Sequence, residues 1–211
     1  MSHDHSHHGP ACHHNHNFDG MSDDYKRRLW VVIAINAIMF VVELVAGSIA
    51  GSQALQADAL DFLADTLTYG VSLYVIGMPL AIRSGAALAK GISLTLMALW
   101  VFGTTLYQVF VLHVPSAPVM AGVAVAALIA NAASVLLLVK YKDGDANVKS
   151  VWLCSRNDMI GNIIVVAAAA GVWGTGTAWP DLIVAGIMAG LFLSSSLRII
   201  TQSLAERRAR T

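Results

Sequence analysis

Two pairs of residues that can bind metals stand four positions apart inside apolar stretches of this sequence: Asp61 with Asp65, and Cys154 with Asp158. A carboxylate at membrane depth costs about 2.5 to 3.5 kcal/mol, so it is tolerated mainly where it binds something or lines a polar path. Positions i and i+4 share one face of a helix, and each pair can therefore offer two ligand atoms to one ion. Two such helices facing each other would form a four-ligand site.

The types of these four ligands indicate which ions would bind. Three carboxylates and one thiolate match four-coordinate zinc, and the soft sulfur also suits cadmium. Calcium and magnesium prefer shells made only of oxygen. Two plainer interpretations stand beside this one: the acids could serve only to join helices, which three intramembrane acids at this spacing disfavour, and Cys154 could be a small buried residue beside a three-acid site.

The composition places these residues in a membrane protein. Hydrophobic residues make up 56% of the chain and charged residues only 12%, which is typical of a membrane bundle rather than a soluble domain. Six stretches are long enough to cross the hydrocarbon core of about 30 Å as helices. We therefore predict an all-α membrane protein with six transmembrane helices, at residues 28–50, 55–80, 86–112, 118–140, 150–173 and 181–204.

Positive charges predict the orientation of these helices. The connections near 51–54, 113–118 and 173–180 contain no Lys or Arg. Most of the basic residues of the predicted bundle lie at the other ends of the spans: Lys26, Arg27, Arg28, Arg83, Lys90, Lys140, Lys142, Lys149, Arg207, Arg208 and Arg210. By the positive-inside rule both termini are cytoplasmic. We expect contact with membrane lipid and no binding of nucleic acid.

Antiparallel geometry makes a shared site plausible. If the second span runs inward and the fifth outward, the rise of 1.5 Å per residue brings the pair Asp61 and Asp65 and the pair Cys154 and Asp158 to overlapping depths near the middle of the membrane. The sequence therefore predicts one intramembrane site between these two helices.

The first 25 residues form a separate segment with no apolar core to fold around, and we expect a disordered cytoplasmic tail. Clustered imidazoles bind zinc-like cations well, so the tail is interpreted as a metal collector. A solvated tail or an expression tag is the alternative. The candidate ligands in this segment are His3, His5, His7, His8, Cys12, His13, His14 and His16.

Two strings around the paired ligands, ADALDFLAD at 57–65 and WLCSRNDMIGN at 152–162, resemble the transport site of the cation diffusion facilitator family of metal/proton antiporters. The resemblance covers about residues 28 to 206. It implies a six-helix transport domain at 26–206 that exports zinc, and cadmium as well, from the cytoplasm in exchange for protons. It further implies a homodimer in a plasma or bacterial inner membrane. The matching residues are Asp61, Asp65, Cys154 and Asp158 as ligands, with Glu43, Asn131, Asn147 and the WPD of Trp179 to Asp181 as further shared positions.

The sequence departs from the family pattern at two positions inside the fifth span. Cys154 stands where the family usually has His, and a thiol can still exchange its proton for a metal. Arg156 lies two residues further on and so faces a roughly opposite direction. It would pair with Glu43 or another acid, or extend toward the cytoplasm, and we favour a structural role.

Two further departures concern the cytoplasmic side. Most relatives continue into a cytoplasmic metal-binding domain, whereas this chain ends in a short basic segment at 207–211, so we expect no regulation or dimerisation through such a domain. The connection from Gly77 to Lys90 lacks His, Cys and acids, so a second metal site known there in some relatives is not expected.

Several other residues have two interpretations. Asp58 precedes Asp61 by three positions and is either an accessory group at the entrance of the site or an ordinary polar residue. Asp145 and Asp181 are interpreted as helix-start residues rather than ligands. Gly47 with Gly51, and Gly186 with Gly190, form small-residue steps that would pack helices within or between subunits.

Three classes of function compete on these grounds. We favour a secondary transporter, because no nucleotide-binding motif supports direct ATP coupling. A passive divalent-metal channel and a non-transporting metal-binding protein remain as alternatives. An enzyme is not expected, because Cys154 has no neighbouring His in the spans to activate it, and no resident cofactor is expected.

Overall fold

A computed structural model describes residues 23–74, 80–111, 113–141 and 146–208 of the chain. Across these ranges the protein consists of helices with no strand, which confirms the predicted all-α fold with six long helices. Most of the His-rich tail, with all its candidate ligands, lies outside the described residues, as do Lys142, Asp145 and Arg210. The helices are α1 (Asp23–Ala50), α2 (Gln53–Tyr74), α3 (Leu80–Val111), α4 (Ala117–Leu138), α5 (Ala146–Thr175) and α6 (Trp179–Arg208), with a 3₁₀ turn at Val139–Tyr141.

Five of the described helices are long and apolar enough to cross a membrane; α2 is the exception. Every stretch of 18 residues within α2 contains Asp58, Asp61 and Asp65. The acids that mark the candidate site are therefore the same residues that lower the hydropathy of this helix. A helix of this composition needs protein rather than lipid around it.

The packing supplies such surroundings, because α2 contacts each of the other five helices. All nine residues from Ser52 to Leu60 are buried. Around it, α1 packs along α2, α3 along α6, and α4 along α5. The acid-bearing helix is thus the central element of the bundle.

Buried residues recur about every three or four positions along α1 and mark the side that faces the bundle. Two of them, Asn36 and Glu43, are polar. Gly47 lies one turn further along this side. A Cβ atom at Gly47 would lie 3.1 Å from side-chain atoms of Leu55 and Gln56, so the glycine allows α1 and α2 to approach closely. By contrast, a Cβ at Gly186 or Gly190 would meet open space.

The ends predicted to be cytoplasmic come together at the start of α1. Asp24 lies 3.2 Å from the Nε of Arg28 and 3.6 Å from the Nζ of Lys140, which follows α4. Arg28 also donates a hydrogen bond of 3.3 Å to the carbonyl of Leu137. The basic side chains of two predicted cytoplasmic ends therefore share one end of the bundle, and the direction in the membrane stays a prediction.

The opposite end is organised by Asp181. This carboxylate lies in the first turn of α6, as expected of a helix-start residue, but it also caps α2. One oxygen accepts hydrogen bonds from the Ser52 hydroxyl at 2.7 Å and the Ala54 amide at 3.0 Å, and the other accepts one from the Gln53 amide at 2.8 Å. The start of the acid-bearing helix is thus held by a charge from another helix.

The corner between α1 and α2 gives a testable prediction at Gly51. Its φ of 69° is left-handed, and a Cβ there would lie 2.8 Å from the Cδ2 of His113. We expect Gly51→Ala to lower the free energy of unfolding by about 1 to 2 kcal/mol from the left-handed backbone alone, and further through the clash. Thermal unfolding of the purified protein in detergent measures this loss.

Gly176 provides the matched control, because its φ of 62° is similar and a Cβ there would meet nothing within 4 Å. Gly176→Ala should therefore lower the free energy of unfolding only by the backbone strain. Adding His113→Ala to Gly51→Ala should remove the clash and bring the loss down to that of Gly176→Ala. Equal losses in both glycine variants would contradict the predicted clash.

Candidate metal site

The structure brings three of the four predicted ligands together. Asp61 and Asp65 of α2 and Asp158 of α5 line one cavity of about 370 Å³. Asp158 lies close to both α2 carboxylates. Three acids in a largely apolar surrounding need a cation, protons or hydrogen-bond donors to offset their desolvation.

Cys154 occupies the turn of α5 that precedes Asp158, and its side chain lies outside what the structure describes. Among the side chains that are described, no three from His, Cys, Asp and Glu are arranged so that they could hold a metal ion. The cavity therefore gathers the acids, and the four-ligand set stays a prediction.

Two polar residues beside the acids were missed in the sequence. The Nδ2 of Asn36 donates a hydrogen bond of 3.3 Å to the Oδ2 of Asp65, and Asn36 is buried. The hydroxyl of Tyr69, which is fully buried, lies close to Asp65, Asp158 and Ser155. The available signals were the seven-residue spacing of Asn36 from Glu43 on α1 and the four-residue spacing of Tyr69 from Asp65 on α2, which each place two side chains on one face.

The cavity runs along the bundle past the acids on both sides, because its wall includes Val184 and Ile164 as well as Ile199. Its walls come from α2, α3, α5 and α6, and beyond the acids they include Thr68, Lys90 and Ile199. These residues lie on the side of the acids that faces the predicted cytoplasmic end. On the other side of Asp61, α2 is buried back to Ser52. The part of the cavity nearer the predicted cytoplasmic end is therefore lined by Thr68, Lys90 and Ile199.

Lys90 lines the same cavity as the acids. The sequence used it only as a charge that sets orientation, whereas the structure places it in α3 with its Nζ 2.7 Å from the Oγ1 of Thr68. Thr68 follows Asp65 by three residues on α2. One cationic side chain is thus present at the candidate site.

Asp58 faces a different neighbour from Asp61. It is absent from the cavity wall and lies close to Glu43 of α1, and both side chains are buried. Neither carboxylate oxygen of Glu43 has a hydrogen-bond partner among the described residues. Glu43 and Asp58 therefore form a second acid pair, between α1 and α2, beside the cavity.

The other accessory candidates lie elsewhere. Arg156 is exposed, with its guanidinium carbon 5.6 Å from the centre of the Trp152 ring, so the pairing with Glu43 that the sequence left open does not occur. Asn131 is buried on the inner side of α4. The structural role favoured for Arg156 remains the simpler interpretation, since a stacked arginine covers apolar surface.

Comparison with known proteins identifies the kind of bundle that holds this cavity. The family model of the cation efflux transmembrane domain matches residues 29–79 and 80–206. The metal cation efflux system protein CzcD of Cupriavidus metallidurans is 28% identical over 215 residues, which cover 90% of this chain and 66% of that protein. The zinc transporter ZitB of Escherichia coli is 26% identical over 197 residues, and that of Yersinia pestis 25%, each covering 87% of this chain and 63% of the relative.

The chain thus spans slightly less than two thirds of the length of these relatives. Five apolar helices and the match to bacterial efflux proteins indicate a multi-pass integral protein of the bacterial inner membrane, one of the two locations that the family resemblance implied. The family match covers most of the chain, including both helices that carry the acids. The chain therefore belongs to the cation efflux, or cation diffusion facilitator, family.

Proposed function

We propose that this protein exports divalent transition-metal ions, zinc and also cadmium, from the cytoplasm in exchange for protons. The observation that carries the proposal is the cavity in which Asp61, Asp65 and Asp158 meet, inside a cation efflux bundle. The names of the relatives, a metal cation efflux protein and zinc transporters, agree with this cargo.

In the proposed mechanism, a metal ion enters along the cavity and displaces protons from Asp61, Asp65, Cys154 and Asp158. These groups bind metal only when deprotonated, so metal and protons exclude each other. Rocking of the helices then exposes the site to the outside, where protons compete the metal off. Metal transport is coupled to proton transport because the site does not carry metal and these protons at the same time.

The pair Glu43 and Asp58 is proposed to carry a proton in this exchange. Two ionised carboxylates side by side in a buried setting are costly without a cation, and the described residues offer Glu43 no hydrogen-bond donor. A proton shared by the pair removes one of the charges. Because Asp58 lies one turn before Asp61 on α2, the pair is near enough to respond electrostatically to metal in the cavity.

Glu43→Gln tests this assignment. The amide has the shape of the protonated acid, so we expect the melting temperature and zinc affinity to stay near those of the parent chain. The number of protons moved per zinc should fall, because the pair loses one of its two acids. Parallel zinc and pH dyes in the same vesicles measure the ratio. An unaltered ratio in Glu43→Gln would refute the role.

The family resemblance also implies a homodimer, which we propose forms through helix surfaces in the membrane. In the part of the chain that the structure describes, nothing lies within 4 Å of a Cβ at Gly186 or Gly190, so this face of α6 is open there. Small residues allow close helix approach between subunits as well as within them. Cross-linking of single cysteines placed on this face in native membranes tests the arrangement.

A flux assay separates the candidate functions. Proteoliposomes with an imposed pH gradient would be loaded with a zinc dye, and zinc, cadmium and calcium would be added in turn. Zinc flux that follows the pH gradient supports the antiporter. Zinc flux that ignores the gradient identifies a passive channel, and zinc binding without flux identifies a metal-binding protein.

A further inference from the structure

Lys90 is a cation inside a cavity whose acids attract cations. It is partly buried in the third turn of α3 and shares the cavity wall with Asp61, Asp65 and Asp158. A lysine that served only to mark the membrane surface would extend toward water. This one is instead directed to α2.

A relay of two hydrogen bonds fixes the ammonium group. The Thr68 hydroxyl donates its proton to the carbonyl of Ala64, one turn earlier on α2. Its oxygen lone pairs are then free to accept from Lys90, and the Nζ lies 2.7 Å away. Thr68 therefore holds the positive charge about one helical turn from Asp65.

Lys90 is near the acids without being paired to one of them. Within the described residues, no carboxylate oxygen lies within 4.0 Å of its Nζ. Its charge is therefore not cancelled by one contact and acts on the cavity as a whole. A buried or partly buried charge keeps much of its reach, because little water screens it.

The charges of the cavity suggest what this lysine does. Three ionised carboxylates carry three negative charges, whereas a divalent metal ion supplies two positive ones. The Cys154 thiolate of the proposed ligand set adds a fourth negative charge, so Lys90 reduces the excess negative charge of the loaded site from two to one. Without Lys90 the larger excess of negative charge would favour tight binding and slow release.

We propose that Lys90 is a built-in counter-charge of the transport site that lowers its affinity for divalent metal ions and so speeds their release. The proposal rests on the proposed function, since it assumes that metal binds at these acids. In this role Lys90 is a positioning residue for the cargo and not a ligand. Thr68 belongs to the same device because it determines where the charge lies.

The test compares zinc affinity and turnover in three variants of the full chain. Lys90→Gln removes the charge, Lys90→Arg keeps it, and Thr68→Val keeps it but removes its anchor. Isothermal titration of the detergent-purified protein gives the dissociation constant, and proteoliposome flux gives the maximal rate. We expect Lys90→Gln to bind zinc about tenfold more tightly and to transport it more slowly. Lys90→Arg should stay near the parent values, with Thr68→Val between.

Asp158→Asn separates a failure of the counter-charge proposal from a failure of the proposed function. If zinc binding survives in Asp158→Asn, the site itself is wrong and the proposed function fails with it. If binding requires Asp158 but the affinity is equal in Lys90→Gln and the parent, only the counter-charge proposal is overturned. Weaker binding in Lys90→Gln, in a variant whose melting temperature is unchanged, would also overturn it.

Discussion

Asp158→Asn should abolish zinc transport while leaving the bundle folded. Asn has nearly the same shape as Asp but no charge, so the cavity keeps its volume and loses one of its three described acids. Mutations of residues that only orient a ligand already lower metal affinity about 10- to 100-fold, so we expect removal of a ligand charge to lower zinc affinity more than about 100-fold. Zinc flux into proteoliposomes under a pH gradient measures the loss of transport.

The control is the same substitution at an acid with no role in the cavity. Asp23 begins α1, is fully exposed and, among the residues that the structure describes, pairs with Lys26 at 3.5 Å. Asp23→Asn should transport zinc at the parent rate. Full activity in Asp158→Asn would mean that the metal path lies elsewhere in the bundle, and the candidate site would have to be abandoned.

Asp181→Ala should destabilise the protein more than any other substitution outside the cavity that we consider. The change leaves the Ser52 hydroxyl and the amides of Gln53 and Ala54 without their acceptor in a buried setting. Hydrogen bonds to a charged group contribute about 1.5 to 3 kcal/mol each, so we expect the free energy of unfolding to fall by at least about 3 kcal/mol. For a chain of this size that lowers the melting temperature by about 6 to 12 °C.

The first turn of α1 again supplies the control. Asp23 and Asp181 are both acids in the first turn of a helix, but only Asp181 caps a second helix. Asp23→Ala should therefore change the melting temperature by about 1 °C or less, as exposed ion pairs contribute little. Asp181→Asn keeps one acceptor oxygen, so its melting temperature should lie between those of Asp181→Ala and the parent. Similar melting temperatures for Asp181→Ala and the parent would show that the cap does not stabilise α2.

The six helices could be predicted from sequence because a membrane imposes a length and a composition on each span. The predicted starts and ends are close to those observed for most of the helices. The start of the third span differs most among the described ends: it was expected at residue 86, whereas α3 already includes Leu80. Hydropathy averaged along a chain indicates where a segment is apolar, and it does not report where backbone hydrogen bonds end.

The acids themselves were also evident in the sequence, since a carboxylate in an apolar stretch is costly wherever its helix packs. Which acids share a cavity was only partly predictable. Four-residue spacing placed Asp61 and Asp65 on one face, and antiparallel geometry brought Asp158 to their depth. The rotation of α2 then separated Asp58 from them and turned it toward Glu43, which helix spacing alone left open.

Sequence by itself therefore determined the membrane class, the number of helices and the identity of the three acids, because each follows from the hydropathy and chemistry of local residues. Only the tertiary structure decided that Lys90 joins the cavity, that Asp181 caps α2 and that Asn36 reaches Asp65. Each of these contacts joins residues on different helices, with 22 to 129 positions between them. Local pattern does not encode them, since they depend on how helices rotate and pack against one another.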